Sequence, residues 1–297
     1  MKRALCLFAT AVIAACSAGE TSAPTLPHTP VEVFPGQAPP TPFTRAYGLT
    51  ESPDGSVRVF AREQNDLTNL YELRRQPDGS WSEPQELDFP RRNKLTNPSF
   101  SFADGMLYYA SDVDILERGQ RDANIWRVAL TEEGWGTPEH LPASINTGAD
   151  ELNPAMDRAG RLYFTSNGYD SIGGHDIFEA ALDAETGEWQ VTAMPDGINS
   201  AKAEAHLAVT PNGNRLFFYS HRNPKLGVVD IWTIARGEDG QWGKPENLGA
   251  PVNTPGIDFG PGMSGDGQIL FFSRDGVLME VALDSALEGV GTLEPDS

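Results

Sequence analysis

Short apolar stretches rich in aromatic residues, each preceded by a tight turn, recur along the chain at nearly constant spacing. About 50 to 55 residues separate one turn from the next, a period longer than that of helical repeats. The turns are Asp54-Gly55, Asp104-Gly105, Ala159-Gly160, Asn212-Gly213 and Asp266-Gly267. The β-prone stretches that follow them are 57–60, 107–109, 162–164, 216–218 and 269–272. The pattern predicts five similar units.

Each unit continues with the same order of signals. A triplet of Asn or Asp, an aliphatic residue and an aromatic residue predicts a third strand at 69–71, 124–126, 176–178 and 230–232. A tryptophan then predicts a fourth, outer strand, and in three units a proline follows it: Trp81 with Pro84, Trp135 with Pro138 and Trp242 with Pro245. Trp189 takes this place without a proline. Proline suits an edge strand because it donates no ladder hydrogen bond. Such sheets would pack radially as the blades of an all-β fold, a β-propeller.

Three runs in the third unit resemble the WD-like propeller repeat of bacterial TolB-type proteins: Glu151–Pro154, Gly160–Asn167 and Gly173–Phe178. The resemblance covers residues 47 to 295 and implies a propeller over 44–297. The fifth unit departs from the pattern, since Val277-Leu278-Met279 replaces the triplet and the tryptophan is missing. TolB-type proteins also carry an α/β domain ahead of six blades, for which this chain shows no pattern. We expect five four-stranded blades, with six as the alternative.

The amino terminus predicts export. Lys2 and Arg3 precede an apolar stretch much shorter than the ~20 residues that span a bilayer, so residues 1–15 read as a signal peptide. Small residues before Cys16 resemble the lipobox of bacterial lipoproteins, in which this cysteine is lipidated. The absence of Asp after Cys16 resembles lipoproteins sent to the outer membrane, so we expect the periplasmic face of that membrane. The alternative is an ordinary signal peptide cleaved near Ala18.

Residues 16–43 are rich in proline and small polar residues, and they predict a disordered tether between the lipid and the propeller. The segment Val31-Glu32-Val33-Phe34 interrupts this composition. Two readings stay open. It is either a strand that completes the last blade, which would explain the missing outer-strand signal there, or a β-prone patch within the tether.

Charge and motifs limit the chemistry. The formal net charge of −20 disfavours nucleic acid and anionic lipid head groups as partners, because phosphate binding needs clustered Lys and Arg. The chain contains no nucleophile elbow, phosphate loop or His-Glu-x-x-His sequence. The five histidines show no metal-ligand spacing. We therefore expect no cofactor and no metal ion, and a monomer that meets the membrane only through its anchor.

One set of polar residues predicts a binding site. The innermost strands should begin at Ala46, Thr96, Glu151, Glu204 and Asp258, which would ring one mouth of the central channel. The loops on the same face should begin at Arg62, Asp112, Asn167, His221 and Arg274. Carboxylates with nearby arginines could bind a cationic or polyhydroxylated ligand. Alternatively, these side chains tie neighbouring blades together.

Two function classes follow. The first is a non-catalytic scaffold of the cell envelope that binds a protein, a glycan or another ligand. The alternative is an envelope enzyme, a hydrolase or lyase acting on a glycan or other polymer, with Glu151, Glu204 and Asp258 as acids and bases. The fold by itself does not distinguish them.

Overall fold

The computed structural model describes residues 25–34, 44–114 and 122–293. The predicted signal peptide 1–15, the predicted lipidation site Cys16 and parts of the predicted tether lie outside these residues. Within the described parts, all regular elements are β-strands except one helical turn, α1 (Leu283–Ala286), which follows the last strand. No helix of the described residues is long and apolar enough to cross a membrane.

Five four-stranded antiparallel sheets form the blades. The first strand in the chain, β1 (Val31–Glu32), belongs to the last blade. Blade 1 contains β2 (Thr44–Glu51), β3 (Val57–Gln64), β4 (Leu67–Arg74) and β5 (Gln85–Glu86). Blade 2 contains β6 (Leu95–Phe100), β7 (Leu107–Ser111), β8 (Asn124–Val128), a side hairpin of β9 (Leu130–Thr131) and β10 (Gly134–Trp135), and β11 (Glu139–His140).

The remaining blades follow the same order. Blade 3 contains β12 (Glu151–Met156), β13 (Leu162–Ser166), β14 (Asp176–Leu182) and β15 (Trp189–Ala193). Blade 4 contains β16 (Glu204–Val209), β17 (Arg215–Ser220), β18 (Asp230–Ala235) and β19 (Glu246–Asn247). Blade 5 contains β20 (Asp258–Met263), β21 (Ile269–Arg274) and β22 (Val277–Ala282), with β1 outside β22. The predicted five-bladed propeller is confirmed.

The innermost strands form a closed ring. Strand β2 contacts β6 and β20, and β12 and β16 complete the circle between them. Each innermost strand begins at the same end of the ring, because every blade starts with an antiparallel hairpin of its first two strands, with a bulge at the same place. The loops that join the second strand to the third, and one blade to the next, therefore lie on this end, the mouth face.

The outer strands differ from the prediction in extent. In blades 1, 2 and 4 the paired outer strand is two residues long and begins after the proline that follows the tryptophan. Blade 3 has no such proline, and its outer strand runs for five residues from Trp189. The difference follows from the missing N–H group of proline, which interrupts the ladder.

The tryptophans instead support seams between blades. Arg236, which directly follows β18, forms an ion pair with Glu179 of blade 3 and lies 4.4 Å from the ring centre of Trp242. The Trp135 indole donates a hydrogen bond of 2.9 Å to Glu72 of blade 1. Trp135 and Trp242 therefore each belong to one blade and pack against the blade before it.

The amino-terminal segment closes the ring, as the first of the two readings of 31–34 predicts. Val31 pairs with Glu280 and Glu32 pairs with Met279, so β1 supplies the outer strand that blade 5 lacks. Phe34 then packs against Phe60 of blade 1, with ring centres 6.1 Å apart. The segment thus joins the last blade to the first.

Candidate functional site at the channel mouth

Three acidic residues begin innermost strands at the mouth face. Glu151, Glu204 and Asp258 are completely buried. Each carboxylate accepts a hydrogen bond from a backbone N–H and from a hydroxyl group four residues earlier in the chain. They fix the loop that enters their own blade, and their side chains do not face solvent.

The partner residues belong to a motif that sequence reasoning missed. An aliphatic residue, Asn, and Thr or Ser precede each acidic residue, at Ile145–Thr147, Ile198–Ser200 and Val252–Thr254. The asparagine side chain bonds both backbone groups of one residue in the preceding blade; Asn253, for example, bonds the N–H and the C=O of Ile231. The sequence does contain this motif: in each case Glu or Asp stands four residues after the Thr or Ser that ends the triplet.

Two of the three buried carboxylates also form an ion pair with an arginine. Arg222 lies 2.8 Å from Glu204, and Arg274 lies 3.0 Å from Asp258. Both arginines also donate to backbone carbonyls of the preceding loop. Burial raises the pKa of Glu151 and of Asp258, against the lowering effect of their hydrogen bonds. The arrangement matches the structural alternative, in which these groups tie blades together.

The other predicted mouth residues have separate positions. Arg62 stacks over the rings of Phe60 and Tyr71. The Asp112 carboxylate accepts three backbone N–H groups, from residues 92 to 94. Asn167 is exposed and accepts a hydrogen bond from the N–H of Asp150, and His221 is exposed. The binding role of the eight residues stays a prediction.

A funnel-shaped cavity of about 590 Å³ opens at the mouth face between blades 1 to 4. We call it the funnel. Of the eight predicted residues, only Asp112 lines it. Apart from two tyrosines, the titratable residues that line the funnel are mainly acidic. They are four acids, one lysine and two histidines: Glu63, Asp66, Asp112, Asp150, Lys94, His175 and His206. The volume lies within the roughly 300–1,000 Å³ that is typical of small-molecule sites.

His206 and two tyrosines form one wall of the funnel. The ring centres of Tyr47 and Tyr219 each lie 5.1 Å from that of His206, and Phe259 follows at 5.6 Å. The Tyr47 hydroxyl forms a hydrogen bond of 2.9 Å with Thr96 Oγ1. Burial lowers the pKa of His206 to about 4, so its imidazole is neutral at pH 7.

This burial predicts a pH effect on stability. The unfolded state binds a proton on His206 near pH 6.5, and the folded state only near pH 4. The stability that neutral His206 provides is therefore complete above pH 6.5 and is lost as the pH falls towards 4, by up to about 1.4 kcal/mol per pH unit. Denaturant unfolding between pH 4 and 7.5 should show this loss in the wild type and not in His206→Gln. The exposed His221→Gln is the control, and parallel curves for the wild type and His206→Gln would contradict the expectation.

In the described parts of the chain, no group of three or more His, Cys, Asp or Glu side chains is arranged to hold a metal ion. Asp150 and His175, which both line the funnel, form only a two-residue contact of 4.0 Å.

No protein-family model and no curated protein sequence matches this chain. Solved structures match it in fold. A thermostable family-43 glycoside hydrolase is 15% identical, with a TM-score of 0.51 over 80% of this chain and 88% of that one. The α-L-arabinofuranosidase from Lactobacillus brevis is 13% identical, with a TM-score of 0.50 over 82% and 92%.

TolB from Acinetobacter baumannii is also among the matches, at 14% identity and a TM-score of 0.47. The match covers 80% of this chain and 54% of TolB, so the chain spans about half the length of that structure. Likeness at such low identity concerns the fold alone. The chain is a five-bladed β-propeller, and it shares its fold with the glycoside hydrolase and the arabinofuranosidase named above.

Proposed function

We propose that this chain is a binding protein of the bacterial cell envelope, which captures a polar ligand or partner group in the funnel without catalysing a reaction. One observation carries the proposal. The funnel combines a volume suited to a ligand with polar atoms that have no partner within the described residues, such as Asn153 Oδ1 and His206 Nδ1. Buried polar atoms of this kind are rare in folded proteins and are commonly completed by a ligand or water.

The charge of the funnel restricts what it can hold. Glu63, Asp66 and Asp150 outnumber the single lysine of the lining, Lys94. Negative potential in a cleft repels anions and favours neutral or cationic groups. The ligand class is therefore neutral or cationic, which agrees with the net charge of the chain.

The candidate acids and bases do not favour catalysis. A general acid or base must reach the reacting proton by hydrogen bond, and Glu151, Glu204 and Asp258 instead bond their own loops in full burial. Turnover of a glycan that is abolished by Glu151→Gln or Glu204→Gln would establish the alternative, an envelope enzyme, in place of this proposal.

Site-specific photo-crosslinking in the intact envelope tests the binding role. A photoreactive residue at Asp66, on the funnel rim, should give adducts. The same residue at Glu185 should not, because this exposed position lies in the β14–β15 turn on the opposite face. Identical adducts from both positions, or none from either, would contradict a ligand site at the mouth.

The proposal includes the cellular location of the protein. Lipidation of Cys16 would hold the propeller at the periplasmic face of the outer membrane, since stable anchoring takes more than one acyl chain and lipoproteins carry several. Cys16→Ser should then move the protein from the detergent phase to the aqueous phase in a two-phase extraction, without changing its melting temperature. Ala18→Ser is the matched control, and unchanged partition of Cys16→Ser would contradict the anchor.

A further inference from the structure

A ring of five residues forms the floor of the channel. Every innermost strand contains a bulge at the same place, and one residue of each bulge has a left-handed backbone. These residues are Gly48, Asn97, Asn153, His206 and Gly260, with φ between 52° and 62°. Because the bulges share one register, the five residues lie at one level around the channel axis. We call them the floor ring.

The backbone conformation of the floor ring does not by itself require an asparagine or a histidine. Glycine fills the position in blades 1 and 5, and it adopts a left-handed conformation without steric cost. Non-glycine residues with positive φ are uncommon, although Asn and His tolerate it better than most. Asn153 and His206 therefore place polar groups where the fold would accept glycine.

Both side chains leave a buried polar atom unsatisfied. Asn153 is 3% exposed, and its Nδ2 donates a hydrogen bond of 2.6 Å to Thr165 Oγ1. The Thr165 hydroxyl also lies 3.4 Å from the carbonyl of Leu152, to which it can donate while its oxygen accepts from the Asn153 amide. Asn153 Oδ1 is then a free acceptor among the described residues, and His206 Nδ1 is likewise without a partner.

The surroundings of these two atoms select for a neutral ligand. Tyr47, His206 and Tyr219 line the funnel with aromatic rings, and such rings attract the weakly positive C–H groups of a ligand. The acidic lining of the funnel repels anions. Asp66, Asp112 and Asp150, which would attract a cation, lie in loops at the mouth, whereas the floor ring consists of glycine, asparagine and a neutral histidine.

A hydroxyl group can satisfy both atoms, because it donates one hydrogen bond and accepts others. A molecule with several hydroxyl groups at its edge and C–H groups on its face has the chemistry of a sugar ring. We propose that the funnel binds a neutral saccharide, with a ring on the aromatic wall and hydroxyl groups on Asn153 and His206. This inference rests on the proposed function of the funnel as a ligand site.

Calorimetric titration of the full-length protein in detergent tests the inference. The probes are neutral pentoses, hexoses, N-acetylhexosamines and their short oligomers, with spermidine as the cationic probe and glucuronate as the anionic one. At least one neutral saccharide should bind, and glucuronate should not. Asn153→Gly and His206→Gly should each weaken saccharide binding about tenfold, the effect of one lost hydrogen bond to a ligand.

Both glycine variants should fold normally, because glycine already occupies the equivalent floor-ring position in blades 1 and 5. Asn65→Gly is the control, because Asn65 has the same left-handed backbone outside the funnel. Saccharide binding unaffected by either floor variant would overturn the inference.

Two further outcomes separate this inference from the proposed function. Spermidine binding that is lost in Asp66→Asn/Asp150→Asn, with no saccharide bound, would overturn the saccharide and leave the funnel as a ligand site. Failure of all probes, together with equal crosslinking from Asp66 and Glu185, would overturn both.

Discussion

Glu204→Ala is expected to lower the free energy of unfolding by about 3–5 kcal/mol, the usual effect of removing one partner of a buried ion pair. Its carboxylate is fully buried and binds Arg222 at 2.8 Å, together with the hydroxyl groups of Ser200 and Ser220. The change would leave the guanidinium without its counter-charge and free the loop at Ser200. Urea unfolding monitored by tryptophan fluorescence measures the loss.

A double-mutant cycle makes this prediction specific. Glu204→Ala/Arg222→Met should cost less than the sum of the two single changes, because it leaves no buried charge unpaired. Glu185→Ala, at an exposed turn, is the control and should change stability by less than about 0.5 kcal/mol. A loss below 1 kcal/mol for Glu204→Ala would contradict the structural role of the mouth carboxylates.

Deletion of residues 25–34 is expected to have a comparable effect, a loss of about 3–5 kcal/mol and of about 10 °C in melting temperature. It removes the outer strand of blade 5 and the packing of Phe34 on Phe60. It also removes the hydrogen bond from Ala282 to the carbonyl of Pro27. The exposed edge of β22 should then promote self-association, because an unpaired strand is a template for pairing.

Point variants separate packing from strand pairing. Phe34→Ala should lower stability by about 1–3 kcal/mol, less than a fully buried phenylalanine because its ring is half-buried. Glu32→Ala, which is exposed, should have little effect. An unchanged melt of the deletion variant, measured by calorimetry together with light scattering, would contradict closure by the amino-terminal segment.

The repeat could be predicted from the sequence because its signals are local. Turns such as Asp54-Gly55 need a left-handed glycine, and φ is +70° there. Successive residues of the aromatic strands enter different core clusters on the two faces of a blade, as Phe217 and Phe218 do. Asp176 accepts the N–H groups of Ile172 and Gly173, a bond to a local loop that is typical of aspartate. The strand β1 was one of two readings, since a two-residue pairing with β22 leaves little trace in composition.

The site could be predicted only in part, for a physical reason. Spacing placed Glu151 and Asp258 at the mouth face, but it gives no side-chain direction. The direction depends on partners such as Thr147 and Thr254, which turn the carboxylates into their own loops. The floor ring was missed because its residues differ in type, glycine in two blades and amide or imidazole in three. Their common feature is a backbone bulge, which only the structure shows.

A crystal structure of the protein purified from its native envelope tests the central claim most directly. We predict ligand density in the funnel, within hydrogen-bond distance of Asn153 Oδ1 and His206 and against the rings of Tyr47 and Tyr219. Density for a bound ligand at another face of the propeller, with only water in the funnel, would contradict the account.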